Sequence, residues 1–121
     1  VVLISDLFVN ADALTAALRR FRAKKHEVVV LHVMHEDELT FPFQDNTLFK
    51  GLENDQQLLT EPRALRKAYL EAVDRFGHRV KKACAASGID YVQASTATPL
   101  DAVLSGYLAF RQRTMMTVNR R

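Results

Sequence analysis

One stretch constrains the fold of this chain more than any other: Val1-Val2-Leu3-Ile4-Ser5-Asp6, four apolar residues closing on a carboxylate. Three of the four are β-branched and no polar residue alternates with them, so the run reads as a strand buried on both faces. Such strands belong to parallel sheets wrapped by helices. In those sheets ligands gather in the crevice beyond the strand C-termini, where Ser5 and Asp6 fall. The run starts without a Met or any lead-in, and a central strand needs neighbours on both sides. The expectation is therefore a domain entered partway through, with the groups that complement Asp6 lying upstream.

Along the rest of the chain the apolar period switches between two and 3.6, the mark of alternating strands and helices. Asn10 is placed to cap a helix reaching about Lys25, with Leu14, Leu18 and Phe21 facing inward and Ala17 beside them. Residues 27–34, from Glu27 to Met34, form a second strand that is apolar on both faces and so central. His35 to Leu39 suit one helical turn, and Phe41-Pro42-Phe43 an irregular apolar anchor. Thr47-Leu48-Phe49 and Gln57-Leu58-Leu59, bracketing the turn-rich Glu53-Asn54-Asp55, predict a short inserted hairpin over the sheet's edge or end.

Pro62 starts a long helix to about Ala86, with Leu65, Tyr69, Ala72, Val73, Phe76, Val80, Ala83 and Cys84 as its inward stripe. Gly88 ends it in a left-handed conformation. A third strand follows from Ile89 to Ala94. Thr98-Pro99-Leu100-Asp101 then opens a last helix whose buried stripe is Leu100, Val103, Leu104, Tyr107 and Leu108. The predicted fold is α/β and three-layered, a mostly parallel sheet with helices on both faces. The domain occupies residues 1–113, and 114–121 read as a frayed, disordered basic tail. With only three main strands, the open edge of Val1 to Ile4 invites self-association with a second copy.

Charge excludes some partners. Seventeen basic against 14 acidic side chains leave a net charge of +3, too balanced to imply nucleic acid. The basic run Arg19, Arg20, Arg22, Lys24 and Lys25 suits a solvated helix face near the negative end of the helix dipole. No apolar run approaches the ~20 residues of a membrane span, and no signal peptide is visible, which makes a cytoplasmic location the default. The single Cys84 forbids an internal disulfide and reads as a small core residue.

Three loops converge at the strand C-termini: Ser5-Asp6, His35-Glu36-Asp37 and Ser95-Thr96-Ala97-Thr98. Two readings of the first stand side by side. Asp6 with nearby hydroxyls suits a hard cation such as Mg²⁺ or Mn²⁺, which takes oxygen ligands; alternatively, Ser5 and Asp6 satisfy loop amides. Ser5, His35, Thr96 and Thr98 are the further residues expected on this ligand face. His32 and His35 would point to opposite faces of a strand, against joint ligation of a metal. No nucleophile elbow, zinc spacing or glycine-rich phosphate loop is present, so no catalytic residue is assigned.

Val2-Leu3-Ile4-Ser5-Asp6-Leu7-Phe8, His26-Glu27-Val28, His32-Val33, the run from Glu38 to Phe43, Gly88-Ile89-Asp90-Tyr91 and Thr98-Pro99-Leu100-Asp101 together resemble the C-terminal half of domain-of-unknown-function family 58. Phe49-Lys50-Gly51-Leu52-Glu53 and Pro62-Arg63 fit as well, and the resemblance runs to about Arg113. It implies a von Willebrand factor A-like half-domain. It also implies a non-enzymatic interaction role beside a MoxR-type AAA+ ATPase, in assembly of a protein complex or insertion of its metal. In that fold a metal-ion-dependent adhesion site joins an Asp-x-Ser-x-Ser loop, a Thr loop and an Asp after the fourth strand. Ile4-Ser5-Asp6 matches the last of these, which makes Asp6 a partial metal site, and the other two elements would precede this chain. The family carries an acidic residue near the position of His35. The runner-up is a nucleotide-binding module of the universal-stress type, from the ending Leu31-His32-Val33-Met34. A hydrolase using Asp6 is a third reading.

Overall fold

The computed structural model describes residues 1–42, 47–50, 57–60 and 62–118, with side chains described at 1–42 and 65–116. The elements run β1 (Val2–Ser5), α1 (Ala11–Ala23), β2 (Val29–Met34), α2 (Glu36–Thr40), β3 (Thr47–Lys50), β4 (Gln57–Thr60), α3 (Pro62–Ala86), β5 (Asp90–Ser95) and α4 (Leu100–Val118). The α/β reading holds. β1, β2 and β5 form a parallel sheet in the order β1-β2-β5, with Leu3 beside Val30 and Val30 beside Tyr91. β3 and β4 pair antiparallel as a separate ribbon, from Thr47 opposite Thr60 to Lys50 opposite Gln57. Phe43 and the Glu53-Asn54-Asp55 turn lie outside the described residues.

The most apolar strand takes the centre because both its faces lose water. Val30 is fully buried and Leu31, its neighbour on the opposite face, is 6% exposed. On one face Leu14 and Leu18 of α1 and Val80 and Cys84 of α3 meet Val28, Val30 and Ile89 in a single cluster. Cys84 is the small core residue expected, and burial pushes its thiol pKa up, away from the reactive thiolate. Asn10 caps α1 as predicted, its side-chain oxygen accepting from the amides of Asp12 and Ala13. The inward stripe of α1 is shorter than the periodicity suggests, comprising Ala11, Leu14 and Leu18, while Ala17 and Phe21 are exposed. Phe21 lies near the helix end and stands edge-on to His26 instead.

Arg22 departs from the solvated basic face. Its Nε donates to the Ser87 carbonyl at 3.0 Å and its Nη1 to the His26 carbonyl at 2.9 Å. This ties the end of α1 to the end of α3. Gly88 lies under that guanidinium with φ +64, a conformation that favours glycine, and a Cβ there would come within 3.2 Å of Arg22 Nη2, which would have to give by a few tenths of an ångström.

α3 has the bounds read from sequence, Pro62 to Ala86. At 25 residues it is about 37 Å long, whereas the six-residue β2 spans about 20 Å. Its C-terminal half covers the sheet, with Val80 and Cys84 1% exposed. Its N-terminal half overshoots the strand ends, leaving Tyr69 and Val73 half-buried and Ala72 exposed, with Phe76, just past the middle, half-buried against the edge of the core cluster. That overshoot creates the cleft described below.

α4 is bound from the other side. Tyr91 faces α3, so by strand alternation Asp90 faces away, and there it accepts from Tyr107 Oη at 2.8 Å and Arg111 Nη1 at 2.7 Å. Arg111 also donates to Glu27 at 2.7 Å. The broad apolar stripe expected of α4 is not buried: Leu100, Leu104 and Leu108 are 67%, 39% and 58% exposed, leaving Val103 and Tyr107 half-buried. Nor does the helix fray at Thr114. It continues through Val118, with Asn119 to Arg121 outside the described residues; Thr114-Met115-Met116 contain no glycine or proline to stop it.

Candidate functional site

At the C-terminal end of β1 the chain turns through five residues, Ser5 to Val9, held by hydrogen bonds from their own amides to neighbouring side-chain and backbone oxygens. Ser5 Oγ accepts from the Leu7 amide at 3.0 Å and Asp6 Oδ1 from the Phe8 amide at 3.2 Å. The Val9 amide reaches back to the Leu7 carbonyl at 2.6 Å. Leu7 adopts φ +54, a conformation that costs a side-chain-bearing residue roughly 1 kcal/mol. It is kept there because its side chain is 2% exposed in the core. With Leu7 buried, the turn directs its neighbours outward: Phe8 is 85% exposed and Val9 55%. An aromatic ring therefore stands in solvent on a loop fixed at both ends, by Leu7 below and by the capping residue Asn10 after it.

Beside this loop lies a cleft of about 560 Å³ between the ends of β1 and β2 and the overshooting part of α3. Phe8, Val9, Met34, Tyr69, Val73 and Phe76 supply its apolar walls, and Asp6 and Glu38 stand among its polar lining. His32 forms part of the floor, 3% exposed. Its Nε2 lies 3.1 Å from the Asp6 carbonyl and its Nδ1 2.7 Å from Tyr91 Oη. A carbonyl only accepts, so the proton is on Nε2, and Nδ1 accepts from the tyrosine hydroxyl. This neutral ring is fully satisfied and ties β2 to β5 and to the loop that leaves β1. Burial holds its pKa below the ordinary 6.5, against the smaller opposing pull of the Asp6 carbonyl and the charges of Glu38 and Asp6. Tyr69 on the cleft wall is raised, by burial first and by Glu38 second.

The expected ligand-face residues divide. Asp6 lines the cleft, but one of its oxygens and the Ser5 hydroxyl are engaged by loop amides, as the plainer of the two readings has it. His35 is exposed and caps α2: its Nδ1 accepts from the Asp37 amide at 3.1 Å while Glu38 closes the capping box on the His35 amide at 3.0 Å. It makes no pair with His32. Thr96 and Thr98 are exposed in the turn after β5, their amides bonded to the carbonyls of Met34 and Ser95, and Thr98 borders a different groove, against α4. Among the described residues no three His, Cys, Asp or Glu gather to hold a metal ion. Asp6 offers one uncommitted carboxylate oxygen to cations that take about six oxygens. The described donor set does not by itself fit Mg²⁺ or Mn²⁺.

Sequence reasoning missed Phe8, Tyr69 and Glu38. Phe8 carried a signal, an aromatic two residues past a strand-end Ser-Asp and just before a helix cap. Tyr69 was placed in the α3 stripe, and only the mismatch between helix and strand lengths reveals that its stripe runs off the sheet.

A model of the family described as a protein of unknown function, DUF58, matches residues 1–79, which hold the Phe8 loop and every described wall of the cleft. No curated protein and no solved structure matches the chain.

Proposed function

The chain belongs to the DUF58 family, and from that premise we propose that it is a non-enzymatic protein-interaction domain that docks its partner at the sheet's C-terminal end. The observation that carries this is Phe8, a large aromatic 85% exposed on a loop too tightly bonded to fold it away. Docking energy concentrates in a few aromatic anchors beside pockets that exclude water. An anchor already held in its bound geometry avoids the ordering cost that weakens flexible surfaces. Burying Phe8 and Val9 against a partner removes their apolar surface from water at about 25 cal/mol per Å².

The family resemblance supplies the finer reading, a von Willebrand factor A-like domain working with a MoxR-type AAA+ ATPase in assembling a complex or inserting its metal. It also keeps Asp6 as one oxygen ligand of an adhesion-type Mg²⁺ or Mn²⁺ site with further ligands from elsewhere. Docking at Phe8 runs through the apolar contact alone and needs no metal. The test is isothermal titration of the chain with a MoxR-type ATPase from the same genome, against a Phe8→Ser variant. Loss of at least about tenfold in affinity, with unchanged circular dichroism, is the expected result. Equal binding by the variant would remove Phe8 from the interface, and no binding by either form would remove this class of ATPase as partner.

A further inference from the structure

The cleft beside Phe8 is apolar within and acidic at its rim, and the sign of that rim selects its occupant. Asp6 and Glu38 both line it and both are exposed. Each spends one oxygen on a local amide, Asp6 on Phe8 and Glu38 on His35. No described Lys or Arg forms an ion pair with either carboxylate. Their charges reach the interior, since both act on His32 and Glu38 also acts on Tyr69. His32 does not offset them, because its neutral form is the one its two hydrogen bonds satisfy. Glu36 and Asp37 on the first turn of α2 extend the same sign. A cleft with this pattern repels a carboxylate-bearing segment and attracts a cationic one.

We propose that the cleft binds an extended partner segment that sets an aliphatic or aromatic side chain against Phe8, Tyr69 and Phe76 and an adjacent Arg or Lys between Asp6 and Glu38. This rests on the docking surface proposed above and adds the chemistry of what it takes. The apolar side chain provides affinity by leaving water. The cation provides orientation and selectivity, because a segment docked in reverse would leave both carboxylates without a counter-charge.

The test is selection of random heptapeptides displayed on phage against the immobilised 121-residue chain. Fluorescence anisotropy of the enriched synthetic peptides follows, on the chain, on Phe8→Ser and on the double variant Asp6→Asn, Glu38→Gln. Asn and Gln keep the acceptor oxygens that the Phe8 and His35 amides use, so the double variant retains the loop and the α2 cap. The expected result is enrichment of peptides with an apolar residue within a few positions of Arg or Lys. Their affinity should fall about tenfold in the double variant and fall again as salt rises from about 50 to about 500 mM. Peptides that need Phe8 but ignore the double substitution would overturn the cationic partner and leave the docking surface standing. Enrichment of acidic peptides would do the same. Failure of every selected peptide to depend on Phe8 would overturn both.

Discussion

The His32 ring bridges β2 to Tyr91 of β5 and to the Asp6 carbonyl just past β1 as a neutral group, and protonation would break that arrangement. A charged ring would have to donate from Nδ1 as well, turning the Tyr91 hydroxyl from donor to acceptor and leaving its proton to find another partner in the core. Above about pH 6.5 His32 is neutral folded or unfolded, and the bridge contributes fully. Below that value the unfolded chain takes up a proton that the folded chain, with its lowered pKa, refuses. Unfolding free energy should therefore fall as pH drops through the window beneath 6.5, and denaturant titrations across pH 5 to 7.5 check it. Tyr91→Phe leaves Nδ1 buried without a donor and should cost about 1–3 kcal/mol at neutral pH, while His32→Gln should flatten the pH slope. A slope equally steep in His32→Gln would place its origin at another group. Strand alternation does not decide the relation of His32 to His35, because His35 lies past the end of β2 and caps α2; the apolar, central character of β2, and with it the burial of His32, was legible. The partner of His32 was not, because the Tyr91 ring reaches it through strand pairing of residues 59 apart, a register no single-strand pattern encodes.

At the scale of elements, the local signals survived folding better than the packing ones. Asn10, Pro62 and Gly88 mark helix ends through backbone chemistry that acts within a few residues, so those boundaries were readable. Which residues of a stripe are buried depends on what lies opposite, and α4 shows the limit. Its apolar residues surround the helix rather than favouring one side, and Leu100, Leu104 and Leu108 remain in solvent. Beside the half-buried Val103 and Tyr107, what joins α4 to the sheet is a polar network: Asp90 holding Tyr107 and Arg111, with Glu27 on the other arm of the guanidinium. Asp90 and Arg111 are 29% and 26% exposed, so solvent screens the pair only in part. Asp90→Ala should release α4 without melting the α1–α3 core, at a cost of about 1–2 kcal/mol. Hydrogen exchange reads this directly, with α4 amides exchanging about tenfold faster and those of β2 and the C-terminal half of α3 unchanged. Uniform acceleration throughout the chain would mean that α4 is part of the cooperative core.

For the whole molecule, the arrangement is lopsided. One face of the sheet carries α1 and α3 and a closed cluster; the other carries α4 along β5 and leaves β1 open, with Val2 62% and Ile4 66% exposed. β1 pairs only with β2 among the described strands, so its outer edge also presents unpaired backbone donors and acceptors beside an apolar face. The sequence indicated both halves of this: an all-apolar strand demands burial, and only two further main strands were available to supply it. An apolar strand at a sheet edge is a template for another strand, and each aliphatic side chain it buries adds about 1.5–3 kcal/mol. The chain should accordingly self-associate, its weight-average mass in sedimentation equilibrium rising with concentration. Ile4→Lys places a charge on that face, where the side chain already has room in solvent, and should return the chain to a monomer with little change in unfolding midpoint. Association that persists in Ile4→Lys but disappears in Leu104→Lys or Leu108→Lys would move the contact to α4. Because Phe8 lies at the strand ends rather than along the β1 edge, the Ile4→Lys monomer should still bind peptide in the cleft, which separates self-association from docking in one variant.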